Sequence, residues 1–471
     1  MRKTKIICTI GPASDTPAVF KKMVKAGLNV ARINFSHGTY EEHLQKINMI
    51  KEVRTELKQP IAIMMDTKGP EIRVRTFKDG CVNLVEGQKF TLTPRDIVGT
   101  AEIAGITYPT LAKKIKVGAP VMINDGLIEL EVVKIDGDDI ICEVVFGGEL
   151  SNRKSINLPG TPIDMPYLSD ADKKDMLFGI NNNVDYIACS FVRCAQDVML
   201  VRNFLIDNGG AEIDIIAKIE NRQGVDNIEE IIAASDGIMV ARGDMGVEIP
   251  FVELPAIQKE IIKDCYRAGK KVITATQMLE SMVNSPRPTR AEISDVANAV
   301  YDGTSATMLS GETAIGKYPV QAIKVMADIN CEAERNMNYR GKFEGMAPKI
   351  KNVSDAVSHS TVSAAFDLNA AALIVVTRTG TTARMISRFR PSMPIIAAVT
   401  SVKAYNKLAI NWGVNPVLAE LQLDTDNLFR HAVSLAKDTG LVKKGDIVTI
   451  TAGIPVIESG NTNILKIETV K

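Results

Sequence analysis

Aromatic side chains are scarce in this chain, 5% of 471 residues, although apolar residues as a whole make up 45%. That balance argues against a β-sandwich or a disordered chain and fits aliphatic-rich α/β cores. Neither sign of charge is in excess: fifty-six Lys and Arg offset fifty-six Asp and Glu. No overall field therefore recruits nucleic acid or a membrane surface, although a local basic pocket stays open. The seven cysteines are scattered, odd in number and without a C-x-x-C pair. This argues against a disulfide frame or a zinc site and for reduced thiols in a cytoplasmic protein. Met-Arg-Lys-Thr-Lys runs straight into an apolar stretch and no long apolar segment follows, so neither a signal peptide nor a membrane span is expected. No G-x-x-x-x-G-K-[ST] loop occurs and no G-x-G-x-x-G follows a strand, so Walker-type and Rossmann-type nucleotide sites both fail.

What is present is alternation. Short β-rich apolar runs fall at 6–10, 29–35, 61–65, 185–191, 213–219, 237–241, 271–275 and 304–309, most of them followed by helical patterns such as His43 to Leu57 and Pro255 to Ala268. Eight strands alternating with helices predict a (β/α)₈ (TIM) barrel. Between the third run and the fourth lies a stretch too long for one βα unit. It is rich in Gly, Asp and alternating Val/Ile, as in VMINDGLIELEVVKIDGDDIICEVV, which predicts a small all-β domain inserted into a barrel loop. A charged segment at 346–352 with Pro348 reads as a linker. Beyond it, runs at 371–377, 395–400, 414–418 and 446–452 alternate with helices, which predicts a separate open-sheet α/β domain. The expected division is 1–69 with 167–345, 70–166, and 346–471.

Barrel active sites lie at the C-terminal ends of the strands. The fifth run ends in Ala-Lys-Ile-Glu, and alternation points Lys218 and Glu220 the same way. The sixth run leads into Arg-Gly-Asp, with Gly243 free to approach a ligand and Asp244 at a helix start. Burying such charges without partners costs several kcal/mol. An amine and two carboxylates at neighbouring strand ends suit a divalent metal and phosphate. A structural Lys218–Glu220 ion pair is the plainer alternative. The second run places Arg32, Asn34 and Ser36 at i, i+2 and i+4, a fork and oxygens fit for phosphate and a hard cation. The third run ends with Asp66 and Thr67, which add oxygens or simply cap the next element, and Arg73 follows as another phosphate fork. The seventh run, Ile273-Thr-Ala-Thr-Gln277, is read as putting Thr274 and Thr276 on one face; buried strand threonines are often only β-branched filler. His37 lies in a loop, placed either to touch a nucleotide or only to turn the chain.

NFSHG at 34–38, DTKGPEIR at 66–73, AKIEN at 217–221, MVARGDMGVEIP at 239–250, ITATQMLESM at 273–282, PRPTRAE at 286–292 and MLSGETAIGKYP at 308–319 together resemble the pyruvate kinase family, from residue 3 to the C-terminus. The resemblance implies a barrel, a lid-like inserted β-barrel and a C-terminal α/β regulatory domain. It implies transfer of a phosphoryl group from phosphoenolpyruvate to ADP, giving pyruvate and ATP, as the closing step of glycolysis, in a cytoplasmic homotetramer. By position, Arg32 binds the substrate phosphate; Asn34, Ser36, Asp66 and Thr67 hold K⁺; Glu220 and Asp244 ligate Mg²⁺ or Mn²⁺; and Gly243 and Asp244 offer main-chain N–H groups. Lys218 neutralises charge on the moving phosphoryl group, and Thr276 lies near the carbon that is protonated. Arg73, His37, Asn34 and Lys154 (in NRKSINLPG) match nucleotide-side positions.

In this family a glutamate at the position of Glu71 goes with a need for a monovalent cation, so potassium dependence is expected. The loop Thr377-Arg378-Thr379-Gly380-Thr381-Thr382 resembles the effector phosphate loop, and its hydroxyls and N–H groups at a helix start suit phosphate, though such a turn also serves as an ordinary cap. A second loop, Gly453 to Asn463, resembles the effector-closing segment but lacks arginine or tryptophan. The effector's identity therefore stays open, a sugar bisphosphate being the first expectation and AMP or a sugar monophosphate the second. The chain is expected to lack the extra swivelling domain of some bacterial relatives. Two rivals stand: a Mg²⁺-dependent mutase or aldolase on a similar barrel, and a non-catalytic scaffold. The first needs neither the insert nor Arg73, and the second would have lost Lys218, Glu220 or Asp244.

Overall fold

A computed structural model describes residues 1–345, 350–422, 424–454 and 462–471. Eight parallel strands close into a barrel: β1 (Lys5–Thr9), β2 (Val30–Asn34), β3 (Ala62–Asp66), β4 (Tyr186–Cys189), β5 (Asp214–Ile219), β6 (Gly237–Ala241), β7 (Lys271–Ala275) and β8 (Ala306–Leu309). Each pairs with its sequence neighbours, and β8 returns to β1 with Lys5 beside Ala306. Both faces of a barrel strand are covered, which is why these runs are almost continuously apolar. One set of side chains, Ile63, Ile187, Ile215 and Ile238 among them, packs outward against the helices. The alternate set, with Ile7, Met64, Ile216, Met239 and Ile273, fills the barrel's interior.

Helices flanking the barrel start where the chain supplies caps. Thr39 and Thr289 each accept from the N–H three residues on, and Glu42 and Glu292 reach back to close capping boxes. The expected all-β insert is met by a seven-stranded sheet with strands from Ile72–Arg73 to Ser155–Asn157, with a two-stranded ribbon of Cys81–Leu84 and Gly148–Ser151. An antiparallel bridge from Val74 to Ile106 brings the two edges of the larger sheet together round a core that includes Phe90, Leu92, Val121 and Leu130.

The C-terminal sheet holds β9 (Ala372–Thr377), β10 (Ile395–Val399), β11 (Val414–Leu418), β12 (Ile447–Ala452) and β13 (Ile464–Thr469), in the order β11-β10-β9-β12-β13. The first four are parallel, and β13 adds an antiparallel edge against β12. Of the linker read at 346–352, residues 346–349 lie outside the described residues, as does most of the second effector loop, 455–461.

The C-terminal unit closes one end of the barrel. Ala409 and Ile410, in the single turn Leu408–Ile410, join the apolar cluster inside the strands. Around this plug run polar ties to the N-terminal ends of the strands: Tyr186 Oη donates to the Lys407 carbonyl at 2.6 Å, and Lys5 Nζ donates to the Val414 carbonyl at 2.7 Å. Asp214 takes Lys271 at 2.9 Å and Lys407 at 2.6 Å. Burial works against its charge, but the two ammonium groups outweigh burial and hold the carboxyl well below the usual range. Asp214→Asn leaves both lysines without that carboxylate, for which the expected loss is about 3–5 kcal/mol, measured by chemical denaturation. A variant within about 0.5 kcal/mol of the parent would show that these ties do not stabilise the junction.

Candidate active site

With one end plugged, the chemistry-bearing side chains collect at the other, where strand alternation turns them inward. On β2, Ala31 and Ile33 pack outward, so Arg32 faces in; on β3, Ile63 and Met65 pack outward, so Asp66 faces in; on β5, Ala217 and Ile219 do the same for Lys218 and Glu220. These four are nearly or wholly buried, Glu220 completely. Asp66 is their centre. Arg32 donates through Nε to Asp66 Oδ2 at 2.6 Å, its Nη2 sits on the same oxygen, and Nη1 reaches Thr9 Oγ1 at 2.9 Å. On the other side Lys218 Nζ lies 3.1 Å from Asp66 Oδ1 and 2.9 Å from Glu220 Oε1. Two basic and two acidic side chains thus meet in a buried set.

The charge states follow from this packing. Burial alone would raise the Asp66 pKa, but Arg32 and then Lys218 outweigh it and hold the carboxyl low. Burial would lower the Lys218 pKa, yet Asp66 and Glu220 hold it above its ordinary value, so the lysine is an ammonium. Glu220 differs: burial, reinforced by the nearby Asp244 charge, pushes its pKa up to about 8 despite Lys218. The two shifts pull the same pair in opposite senses. The ammonium is the firmer conclusion, because it faces two carboxylates and donates to the Ser190 hydroxyl at 2.8 Å, whereas Glu220 has one short bond, from the Phe191 N–H to Oε2 at 2.6 Å. Glu220 Oε1 faces Lys218 but receives no hydrogen bond of proper geometry.

That orphaned oxygen tests whether a metal fits. A buried carboxylate raised by its surroundings and short of donors is what a hard cation would relieve. Asp244, half-buried at the start of the helix Arg242–Glu248, is near enough to act on it. Among the described residues no group of three or more His, Cys, Asp or Glu could hold a metal. A cation here would therefore have two protein carboxylates and draw other ligands from substrate oxygens and water, a pattern that suits Mg²⁺. The donor set fits.

Thr276 reaches the same mouth by an unexpected path. Thr274 and Thr276, read as sharing a face, are separated: Thr274 Oγ1 donates to Thr304 Oγ1 at 3.0 Å, away from the interior set formed by Ile273 and Ala275. Thr276 lies past the strand end with φ 67°, and Gln277 follows at φ 52°, two left-handed turns that take the side chain off the strand's alternation. Such backbone costs about 1–3 kcal/mol per residue and needs support. Arg242 supplies it, with Nη2 on the Thr276 carbonyl at 2.6 Å and Nη1 on Asp295 at 2.6 Å. Thr276 Oγ1 donates to the Ala275 carbonyl at 2.6 Å and accepts the Gly243 N–H at 2.7 Å. The Gly243 N–H is therefore engaged within the protein.

The remaining candidates divide. Asn34 is half-buried at the end of β2 and its Oδ1 accepts the Ser36 N–H at 3.1 Å; Thr67 is buried and its Oγ1 accepts the Ser190 N–H at 3.2 Å. His37 is exposed in the following turn. Arg73 opens the inserted sheet, bonded to Glu71 at 2.7 Å and, through Nη1, to the Arg153 carbonyl at 2.7 Å. Lys154 sits beside it, half-buried, its carbonyl accepting the Val74 N–H at 3.0 Å. Glu71 feels Asp244 and Lys218, which places this pair by the mouth. Thr377, Arg378, Thr379, Thr381 and Thr382 are elsewhere: they line a cavity of about 890 Å³, in which Gly380, at φ 84°, turns the chain into the helix Thr381–Ser387. That cavity lies by the plugged end of the barrel, sharing Glu212, Lys403 and Lys407 with the junction.

Sequence reasoning missed Ser190, Phe191, Arg242 and Asp295. Ser190 was findable, since it is a polar residue near the end of the fourth apolar run, the same signal that singled out Asp66. The Arg242–Asp295 pair, far apart in sequence, carried none.

Comparison with known proteins agrees with this geometry. The model of the pyruvate kinase barrel domain matches residues 1–323, and that of the pyruvate kinase alpha/beta domain matches 355–468. A pyruvate kinase of Clostridium acetobutylicum is 48% identical over the full length of both chains, and one of Staphylococcus epidermidis is 47% identical over all of this chain and 81% of its own. A crystal structure of a pyruvate kinase from Cryptosporidium parvum, 39% identical, superposes with a TM-score of 0.95 over 100% of this chain and 96% of its own. A charged barrel mouth, two matching family models and full-length relatives at nearly half identity lead to one assignment: the chain belongs to the pyruvate kinase family and is a phosphotransferase.

Proposed function

We propose that this chain moves the phosphoryl group of phosphoenolpyruvate to ADP at the open mouth of the barrel, with Mg²⁺ (or Mn²⁺) and K⁺, as the closing step of glycolysis in the cytoplasm. The observation that carries the reading is the convergence of Arg32 and Lys218 on Asp66, with Glu220 against the same lysine. Phosphoryl transfer spreads negative charge over the moving oxygens, so catalysis is mostly positioned positive charge. Arg32 offers a guanidinium to the substrate phosphate, and Asp66 holds it in one orientation. Lys218, fixed from below by the same carboxylate, meets the charge that develops as the group passes between oxygens, an effect worth a few kcal/mol. A divalent cation held by Glu220 and Asp244 would supply further positive charge to substrate oxygens.

After transfer, the enolate of pyruvate takes a proton on carbon. Thr276 is the hydroxyl proposed near that carbon. Its own proton is engaged with the Ala275 carbonyl and a hydroxyl is a weak acid, so it orients a water that delivers the proton. Asn34, Ser36, Asp66 and Thr67 are the proposed K⁺ ligands; both Asp66 oxygens are already bonded, but a carboxylate has about four lone-pair sites. Asn34, His37, Arg73 and Lys154 are proposed on the nucleotide side, the last two carried by the insert 70–166 acting as a lid over the barrel of 1–69 and 167–345, to which Asn34 and His37 belong.

In the regulatory unit 346–471 the threonine loop would bind an anionic effector, a sugar bisphosphate or a phosphate monoester such as AMP. What supports this is the cavity's basic wall. Lys403 and Lys407 line it while Lys403 lies 3.4 Å from Asp185 and Lys407 2.6 Å from Asp214, so phosphate entering there competes for cations that tie the two units together. A homotetramer is the proposed assembly.

Lys218→Met should lower kcat by at least about 10²-fold with little change in KM for phosphoenolpyruvate; near-normal turnover would remove the lysine from its role. Omitting K⁺, NH₄⁺ and similar ions should abolish most activity in a coupled pyruvate-forming assay, and substantial turnover in tetramethylammonium buffer would overturn the cation requirement. Thr379→Glu places a carboxylate in the exposed part of the effector loop; activation by a sugar bisphosphate should weaken while the basal rate persists. Loss of the basal rate instead would make the loop a folding element.

A further inference from the structure

Ser190 lies one residue beyond β4 and is 3% exposed. Its hydroxyl sits where three functional groups meet. Lys218 Nζ is 2.8 Å from Oγ, the Thr67 carbonyl 2.7 Å, and Asp66 Oδ1 3.2 Å. A hydroxyl has one proton and two lone pairs. The shorter contact gives the proton to the Thr67 carbonyl, which turns the lone pairs toward the lysine. An ammonium has three N–H groups, and Lys218 faces three oxygens: Asp66 and Glu220 as ion-pair partners and Ser190 as a hydrogen-bond acceptor. The shortest of the three contacts is the uncharged one.

The serine is itself held from every side. Its N–H donates to Thr67 Oγ1 at 3.2 Å and its carbonyl accepts from the buried Tyr167 hydroxyl at 2.9 Å. A side chain at Gly69, which has φ +71°, would come within 2.7 Å of that same carbonyl. The next residue, Phe191, is left-handed at φ 54° and points its N–H at Glu220 Oε2, 2.6 Å away. Two consecutive residues therefore grip the alternate residues Lys218 and Glu220 of the neighbouring strand, one by a hydroxyl and one by an N–H. Non-glycine residues adopt this backbone only where the surroundings over-determine it.

We propose that Ser190 is a positioning residue for the phosphoryl transfer: its hydroxyl fixes the third direction of the Lys218 ammonium, so that the charge stands where the transferring oxygens need it. Carboxylates alone do not accomplish this. A lysine side chain is a flexible stem with many rotamers, and two carboxylates alone leave the ammonium free to turn about the line between them. The neutral oxygen adds aim without adding negative charge, which would offset the field that the phosphoryl group must meet. This inference rests on the assignment of Lys218 to the transfer step.

The test is a double-mutant cycle in the full-length enzyme with Ser190→Ala, Lys218→Met and the pair, each read for kcat, for KM of phosphoenolpyruvate and of ADP, and for thermal midpoint. Ser190→Ala is expected to lower kcat by about 10- to 100-fold, the scale of a misplaced catalytic group, with both KM values within about threefold (half a decade, under 1 kcal/mol). The double variant should be no slower than Lys218→Met, because a residue that acts only through the lysine has nothing left to act on. Ser190→Thr, which keeps the hydroxyl, should recover most of the loss. Ser190→Cys, similar in size but with a weak acceptor, should behave as the alanine variant does, and it stands in if Ser190→Ala does not fold. Additive losses in the double variant, a threonine variant as slow as alanine, or a lowered thermal midpoint with unchanged kcat would each overturn the proposal. Near-normal turnover of Lys218→Met alone would instead overturn the assignment of the lysine.

Discussion

Asp66 is a single buried carboxylate shared by two cations, and the mouth of the barrel is organised around that sharing. With Arg32 on one oxygen and Lys218 on the other, it lets two positive charges stand together in a dry setting where they would otherwise repel each other and where each alone would be costly. A guanidinium and an ammonium held close, with their charges intact, are what a phosphoryl group in transit requires. Removing the carboxylate would both destabilise the fold and scatter the cations. Stability and function therefore rest on the same bond set, which is why the neighbouring serine and threonine backbone are drawn into it.

The two ends of the barrel are built on opposite logic. At the N-terminal ends of the strands, apolar side chains from the C-terminal unit plug the interior, and lysines pair with Asp214 and Asp185 at the seam. At the C-terminal ends the interior is filled with charge, balanced except for the orphaned Glu220 oxygen and the nearby Asp244. A closed sheet permits this division because each strand has one direction and one alternation, so inward residues grade from apolar to ionic along its length. The threonine-loop cavity beside the seam shares its lysines with the plugged end and so bears on the barrel through charge rather than through contact with the mouth.

Much of this was legible before any coordinates. Eight apolar runs, each short and bounded, announced the barrel, and the overlong gap after the third announced an insert. Period-two alternation put Lys218 with Glu220, and Arg32 with Asn34 and Ser36, on one face each, and the strand end singled out Asp66; packing of their neighbours against the helices decides that these faces point inward. Where alternation stops, reading stops. Thr276 was placed with Thr274 because a strand was extended past its end, and two left-handed residues undo that placement. Ser190 was passed over although its position carried the signal. Arg242 and Asp295, which hold the Thr276 turn, lie 53 residues apart, and their pairing depends on helix packing that no local pattern encodes. The antiparallel edge strand Ile464–Thr469 lies beyond the last run read, at 446–452, and was not among the strands expected.

By itself the chain determined which residues share a face within each strand, since side-chain direction along a strand is a local consequence of backbone geometry. It also determined that the buried charges come in opposite signs. Only the tertiary structure decided who pairs with whom: that Asp66 stands between Arg32 and Lys218, that Glu220 keeps an oxygen without a donor, and that Ser190 completes the lysine's set of acceptors. Those outcomes depend on the register of neighbouring strands around a closed sheet and on distances of 2.6–3.2 Å, and such distances arise from packing across the whole barrel rather than from any one stretch of chain.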